Sequence, residues 1–491
     1  MRSFLIITLM IATFLQTGCS SRAKEEKPIV VAIQVEVPLT TQSEEARAIF
    51  LQARAQFDNI RISEARELFS AAIEKDPEFA TAHLYRAYTA PSTMDFQRHL
   101  QHAVALAPNV SEGERLFIEA QQANAQNDPI KQIEILEQLI EKFPNDTQAH
   151  LFLGFVYTAR DEDNNAIAEY QKAIEIDSDF TPVYNALGYA YLGIGEYEQS
   201  EEAFQNYIRL IPDEANPHDS MADLYTKMGR HQDAIKHYQM ALDLNSTFVI
   251  SQRKIGDNLV FMNKYDDGRA AYRKTMKIET TPSGKIIDVL RVRNSYLYEG
   301  KYEEAIAESD KGLQMAVEAG LPNLEANIHS AKCLIYIEMR NPDKAEQSNV
   351  ECMRVVTESD LSSATKENFA KTTLFNEARI AAKRQDFEVA MAKADEFKAK
   401  IEAGMDPKEI EDYHDFLGYI YSEKGEYAMA IEHLSQADQE EPYTLYLLAV
   451  AESEAGDEAR GAELFEKVAH WNQSNLNYAF VRSEARAALS E

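Results

Sequence analysis

Three groups of residues have the types and spacing for chemistry. Asp95, His99 and His102 fall about a turn apart on one helical run and could offer three ligands to a metal ion. Asp161-Glu162-Asp163-Asn164-Asn165 opens like a calcium-binding loop. Gly193-Ile194-Gly195 carries two glycines of a phosphate-cradling turn. Each lacks something its chemistry requires. No further ligand supports the histidines, which read as a solvated polar face. Ala166 stands where a calcium loop needs glycine and Lys172 where it needs a closing glutamate, which leaves a polar turn. The third glycine of a dinucleotide loop is missing. No H-E-x-x-H, G-x-S-x-G or G-x-x-x-x-G-K-[S/T] occurs, and no Cys/His spacing suits zinc. The expectation is a protein that is not an enzyme and holds no cofactor or metal.

The elements that would position such groups repeat. Between Asn145 and Thr280 a unit of 34 residues recurs four times without insertion. One column holds Gly154, Gly188, Ala222 and Gly256, and a second holds Tyr157, Tyr191, Tyr225 and Leu259. Small residues fill a third at Ala166, Ser200, Ala234 and Gly268, and aromatics a fourth at Tyr170, Phe204, Tyr238 and Tyr272. Within one copy, Thr181-Pro182 suits a helix start. Apolar residues from Val183 to Leu192 follow helical spacing, Gly193 and Gly195 permit a turn, and a second helical run from Tyr197 ends before Pro212. Each unit is a helix hairpin too small to bury its own apolar face, so the units must stack.

Leu187-Gly188-x-x-Tyr191, Gly195-x-Tyr197, Phe204 and Pro212 resemble the tetratricopeptide repeat, and Leu417-Gly418-Tyr419-Ile420-Tyr421 with Gly425-Glu426-Tyr427 repeats the match late in the chain. Degenerate units precede the regular block from Glu44, and others follow it. The expected fold is all-α, a solenoid of about twelve stacked hairpins. Its parts would be an N-terminal array over 44–281, irregular hairpins over 282–407 with turns at Asn341-Pro342-Asp343 and Arg384–Phe387, and a terminal unit with capping helices over 408–491. Pro282-Ser283-Gly284 is expected to break the register, with bends there and near Met405. Arg482-Ser483-Glu484-Ala485-Arg486 is expected to cap the stack towards water.

In this family the first helix of each hairpin lines a concave groove that binds peptides. The resemblance places Phe152, Phe155, Asn185, Tyr189, Leu192, Asp219, Asp223, Arg253, Lys254 and Asp257 on the groove floor, with Phe416 and Tyr419 as late equivalents. An alternative for several of these is packing between repeats. Asn185, Asp219 and Arg253 do not reproduce the family's Lys/Asn/Arg clamp for C-terminal carboxylates.

The N-terminus reads differently. Arg2, an apolar run over Phe4–Leu15 and small residues before Cys19 describe a signal peptide over 1–18, too short for a membrane span. Thr17-Gly18-Cys19 resembles the lipobox of bacterial lipoproteins, which implies a lipidated Cys19 and a cell-envelope location. Ser20 and Ser21 favour the outer membrane, facing the periplasm. A tether and extended arm over 19–43 would follow, with the β-branched run Pro28–Pro38 either packed on the first repeat or offered to a partner by strand addition. Of the three cysteines, Cys333 and Cys352 could pair in an oxidising compartment or be two small buried residues.

The net charge of −31 disfavours nucleic acid and anionic membrane surfaces, so membrane attachment is left to the lipid. It suits solubility, and a basic partner. The expected function is a lipid-anchored scaffold recruiting a protein or peptide. The alternative is an accessory lipoprotein of a polysaccharide or protein export or assembly machine.

Overall fold

A computed structural model of the chain describes residues 36–404 and 407–490. The expected signal peptide, Cys19, the tether, most of the β-branched arm and the bend at Met405 lie outside the described residues. Among those residues the chain forms twenty-five α-helices, one 3₁₀ turn and no strand.

The helices pair as α1 (Glu44–Asp58) with α2 (Ile62–Lys75), α3 (Ala80–Tyr88) with α4 (Thr93–Leu106), and α5 (Glu112–Ala125) with α6 (Pro129–Lys142). The regular block follows: α7 (Thr147–Thr158) with α8 (Asp163–Ile176), α9 (Thr181–Gly193) with α10 (Tyr197–Leu210), α11 (Ala215–Lys227) with α12 (His231–Leu244), and α13 (Val249–Phe261) with α14 (Tyr265–Ile278). Longer pairs come next: α15 (Pro282–Tyr298) with α16 (Tyr302–Glu318), α17 (Pro322–Glu338) with α18 (Pro342–Glu358), and α19 (Ser363–Lys383) with α20 (Phe387–Gly404). The last are α21 (Pro407–Lys424) with α22 (Tyr427–Leu434), and α23 (Pro442–Glu454) with α24 (Glu458–Ala469). These make twelve hairpins, and a single helix, α25 (Leu476–Ala488), closes the chain. The 34-residue register ends at Pro282 as expected, since α16 starts 37 residues after α14 where α14 starts 34 after α12, but the stack of hairpins continues through it. Pro282 takes the first turn of α15, where its missing N–H costs nothing, and Thr281 caps the helix.

The columns explain the hairpin. A Cβ added at Gly188 would collide with the Phe204 ring of the same hairpin, and Gly154 and Gly256 meet Tyr170 and Tyr272 in the same way. The inner helix therefore lies against a flat ring, and the glycine and the ring are both buried. The turn needs one left-handed residue, at Asp161, Gly195, Gly229 and Asn263 in successive copies. Where glycine is absent, Asp and Asn fill the position because their short polar side chains tolerate it best.

The stack curls back on itself twice. At the N-terminal end, Arg61 before α2 donates two hydrogen bonds to Glu214 before α11, at 2.6 and 3.2 Å. At the C-terminal end, α25 returns to the middle of the array. Tyr478 packs among Phe261, Tyr298 and Trp471, and Arg482 donates to the Phe261 carbonyl and to Asn263. Arg482 is thus buried against α13 rather than facing water as the expected cap. The curl gives α25 a partner face that a straight stack would leave to solvent.

Of the arm, residues 36–41 are described. They run from α7 and α5 onto the first hairpin. Val37 N–H donates to Asp146, and Thr40 and Thr81 donate to the buried carboxylate of Glu114. Leu39 packs against the core of α1 and α2 and accepts from Arg47, and Thr41 donates to Asp76. Cys333 and Cys352 are free and buried, and burial pushes their thiols up to about 12 and about 11.

Replacing Gly188 by Leu forces the Phe204 ring out of its seat and is expected to cost roughly 1–3 kcal/mol or more by overpacking. Urea unfolding monitored by circular dichroism measures this. An unchanged midpoint would show that the two helices do not meet at this column.

Candidate functional site

The inner helices α7, α9, α11 and α13 carry ten of the expected groove residues. One column, Phe155, Tyr189, Asp223, Asp257 and Arg291, runs along the concave face at one residue per hairpin. Its first two members are accessible, Phe155 being 45 % and Tyr189 37 % exposed. The remainder is occupied by bonds between repeats. Tyr189 donates to Asp223 at 2.8 Å, and Lys254 donates to Asp223 at 2.7 Å and to Asp219 at 3.0 Å. Arg291 holds Asp257 at 2.5 Å, and Ser220 donates to Asn185 at 2.8 Å. Arg253 turns to Glu279 and Asp288, each at 2.7 Å. Phe152 packs among Tyr88, Phe117 and Phe155, and Leu192 packs half-buried against the core cluster that holds Tyr225. The polar members of this set are ties that fasten one hairpin to the next.

Phe416 and Tyr419 do not line a groove. Both are 0 % exposed. Phe416 is sandwiched by Phe375 and Phe397, and Tyr419 lies beneath Arg379. The tighter curl of the C-terminal turn encloses a column that stays open at Tyr189.

Part of the concave face is covered by the chain itself. The segment Asn472–Ser474 before α25 meets Asp223, Lys254, Asp257 and Arg291 around a cavity of about 190 Å³. A larger cavity, about 440 Å³, lies on the inner face of the last turn. Helix α19 supplies Asn368, Lys371, Thr372, Phe375, Asn376 and Arg379. Helix α21 supplies Glu409, Glu411, Asp412 and Asp415, and the approach to α23 supplies Asp438 and Glu441. Thr444 and Asn477 complete one wall, with Asn477 donating to Glu441 at 3.1 Å and Thr444 to Asp415 at 2.6 Å.

Six carboxylates therefore share the cavity with two cations. Lys371 is paired with Glu409, and Arg379 stands 4.0 Å from Asp415. Burial first, then repulsion from Asp415, Glu409, Asp438 and Glu411, raises the Asp412 carboxyl. Burial likewise raises Asp415 and Glu441. None of these residues stood among the expected ones. The acidic run from Glu409 to Asp415 was visible in sequence, but its place opposite Arg379 depends on the curl.

Three pairs of histidines meet across the two helices of a hairpin. His218 and His237 approach Nδ1 to Nδ1 at 3.3 Å and His414 and His433 at 3.0 Å, and burial lowers all four. His99 pairs with His83 rather than with His102, and burial lowers it to about 4. Asp95 is held by Arg86 at 2.7 Å and by Arg98, so it has no free carboxylate to offer a metal. Among the described residues no group of three or more His, Cys, Asp or Glu is arranged to hold a metal ion, and no helix is long and apolar enough to cross a membrane.

Family models described as TPR repeat and Tetratricopeptide repeat match residues 154–195, 50–90, 181–214, 412–444 and 218–248. The chain is a tetratricopeptide repeat protein. No curated protein matches it. Among solved structures, the crystal structure of MamA is 23 % identical, covers 32 % of this chain and 93 % of its own, and has a TM-score of 0.30. A tetratricopeptide repeat protein from Parabacteroides merdae ATCC 43184 is 15 % identical over 53 % of this chain and 98 % of its own, with a TM-score of 0.40. YrrB, described as a TPR protein with an unusual peptide-binding site, is 19 % identical over 37 % of this chain and 91 % of its own, with a TM-score of 0.28. Tetratricopeptide repeat proteins are typically non-catalytic interaction scaffolds, and this chain has that architecture.

Lys254→Met tests the ties between repeats. Lys254 faces two carboxylates, which raise its pKa against the effect of burial. Its contribution is therefore complete below the unfolded lysine value and lost only as pH rises through the folded one. Removing it leaves Asp219 and Asp223 uncompensated, at an expected cost of about 1–3 kcal/mol near neutrality. Asp219 is already raised by burial, so the variant's folded state binds protons more readily than the unfolded state, and the deficit should shrink on acidification. Urea titrations at neutral and mildly acidic pH measure both effects. A deficit that is absent, or grows in acid, would contradict the assignment.

Proposed function

We propose that this protein is a lipid-anchored scaffold of the bacterial cell envelope. It holds an extended segment of a partner protein in the concave groove of its last turn. The observation that carries the binding reading is the 440 Å³ cavity on the inner face of α19, α21 and α23. It combines an apolar floor at Phe375 and Phe397 with converging Asn368, Asn376, Thr444 and Asn477, the mixture that fixes a bound chain by shape and by backbone hydrogen bonds. The regular block is the less suitable surface, because its polar floor is already spent on bonds between repeats. Anchoring rests on the sequence around Cys19, where an apolar run ends in Thr17-Gly18-Cys19. A single acyl chain binds a membrane only marginally, so a stable anchor needs more than one.

A photoreactive residue in place of Thr372, with a control at the outward Glu198, tests the groove in the native envelope. One protein captured at Thr372 and absent at Glu198 is the expected result. The same set at both positions, or nothing at either, would refute the groove. In the same cells Cys19→Ala should move the chain from the membrane to the soluble fraction, and retention in the membrane would refute the anchor.

A further inference from the structure

The last-turn groove has a charge imbalance and an unused donor, and together they describe its occupant. Four of its six carboxylates, Glu411, Asp412, Asp438 and Glu441, form no salt bridge among the described residues. They converge from two elements, the start of α21 and the entry to α23, so neither element can turn away from the other's charge. At the base lies Arg379, 8 % exposed and lining the cavity. Its guanidinium rests on the Phe375 ring, with Tyr419 and Tyr443 also near it. It makes no hydrogen bond among the described residues, and its nearest carboxylate is 4.0 Å away. Its Nε is buried with no hydrogen-bond partner, and a buried donor left unpaired is costly, so an acceptor reaching the guanidinium would be favoured.

We propose, on the reading of this groove as a partner-binding site, that its occupant is a basic segment of a protein, an extended peptide carrying lysine or arginine side chains. Two demands on the ligand lead there. The unpaired carboxylates call for cations, and a cation placed among them offsets the burial and the mutual repulsion that raise Asp412. Arg379 calls for an acceptor, and a peptide carbonyl supplies one. Asn368, Asn376 and Asn477 can each both donate and accept, which suits an extended backbone. A polyamine would satisfy the carboxylates but has no acceptor for Arg379. An acidic or phosphorylated peptide would satisfy Arg379 and Lys371 but would meet six carboxylates. The groove therefore selects for positive side chains on a backbone.

The test uses the full chain and three fluorescein-labelled peptides of equal length, alternating serine with lysine, glutamine or glutamate. Asp412→Asn/Asp438→Asn removes two groove charges while keeping an acceptor at Asp438 for the Glu440 N–H. Glu198→Gln/Glu202→Gln removes two charges from the outer surface, so both variants have the same net charge. The lysine peptide is expected to bind, to lose at least about tenfold in affinity with the groove variant, and to lose less than about twofold with the control. Equal losses in the two variants would show attraction by net charge alone and overturn the proposal. So would equal binding of the glutamine peptide, or binding of none of the three. Competition at a photoreactive Thr372 separates this inference from the groove itself. If the glutamine peptide blocks capture there as well as the lysine peptide does, the groove stands and its basic preference falls. If the lysine peptide binds without affecting capture at Thr372, the groove reading falls.

Discussion

The contact on which the rest of the structure depends is a bare backbone against a ring. Gly154, Gly188 and Gly256 each lie on the face of an aromatic side chain from the second helix of their own hairpin. With no Cβ in the way, two helices approach closely and the ring fills the space around them. Gly418 meets Leu434 in the same manner. Because the contact recurs at a fixed spacing, each hairpin presents the same face to the next and the stack grows with a steady curl. Everything functional follows from that curl, since a groove exists only where the inner helices converge.

The two halves use the curl differently. In the regular block the inward column stays open at Phe155 and Tyr189, and its charges bind one another through Lys254 and Arg291. From α15 to α21 the helices are longer, and the turn tightens until α25 seats against α13 and α15. Tyr443 donates to Glu338 across 105 residues of chain, and Arg482 reaches Asn263 across 219. These long contacts shape the cavity at Arg379. They also bury Phe416 and Tyr419, the counterparts of residues that remain accessible earlier in the chain. The same repeat thus yields a knitted floor in one half and a charged pocket in the other.

The hairpins were legible in sequence almost to the residue, because their causes are local. Apolar spacing, the left-handed position at Gly195 and the small and aromatic columns all act within one unit or between neighbours. The tie between Asp257 and Arg291 was also within reach, since the two stand one period apart in one column. What could not be read is whatever depends on the curl accumulated over several hairpins. Phe416 and Tyr419 have groove-facing register and yet are enclosed. Arg482 belongs to a charged terminal run that reads as a solvated cap, and it is buried because α25 swings back to α13. Arg379 carries no motif, and its place in the cavity emerges only when α19, α21 and α23 are brought around it.

Closure of the C-terminal turn is the central claim, and a distance measurement across it is the most direct check. Spin labels at Lys264→Cys and Ser483→Cys would report it by double electron–electron resonance, with the buried Cys333 and Cys352 thiols left unlabelled. Arg486 and Asn263, beside these positions, are 3.5 Å apart. The account predicts a single short, narrow distance distribution. An open stack of the intervening hairpins, with helices packed 8–10 Å apart, would separate the labels by on the order of 50 Å. A long or broad distribution would contradict the closed turn, and with it the cavity at Arg379.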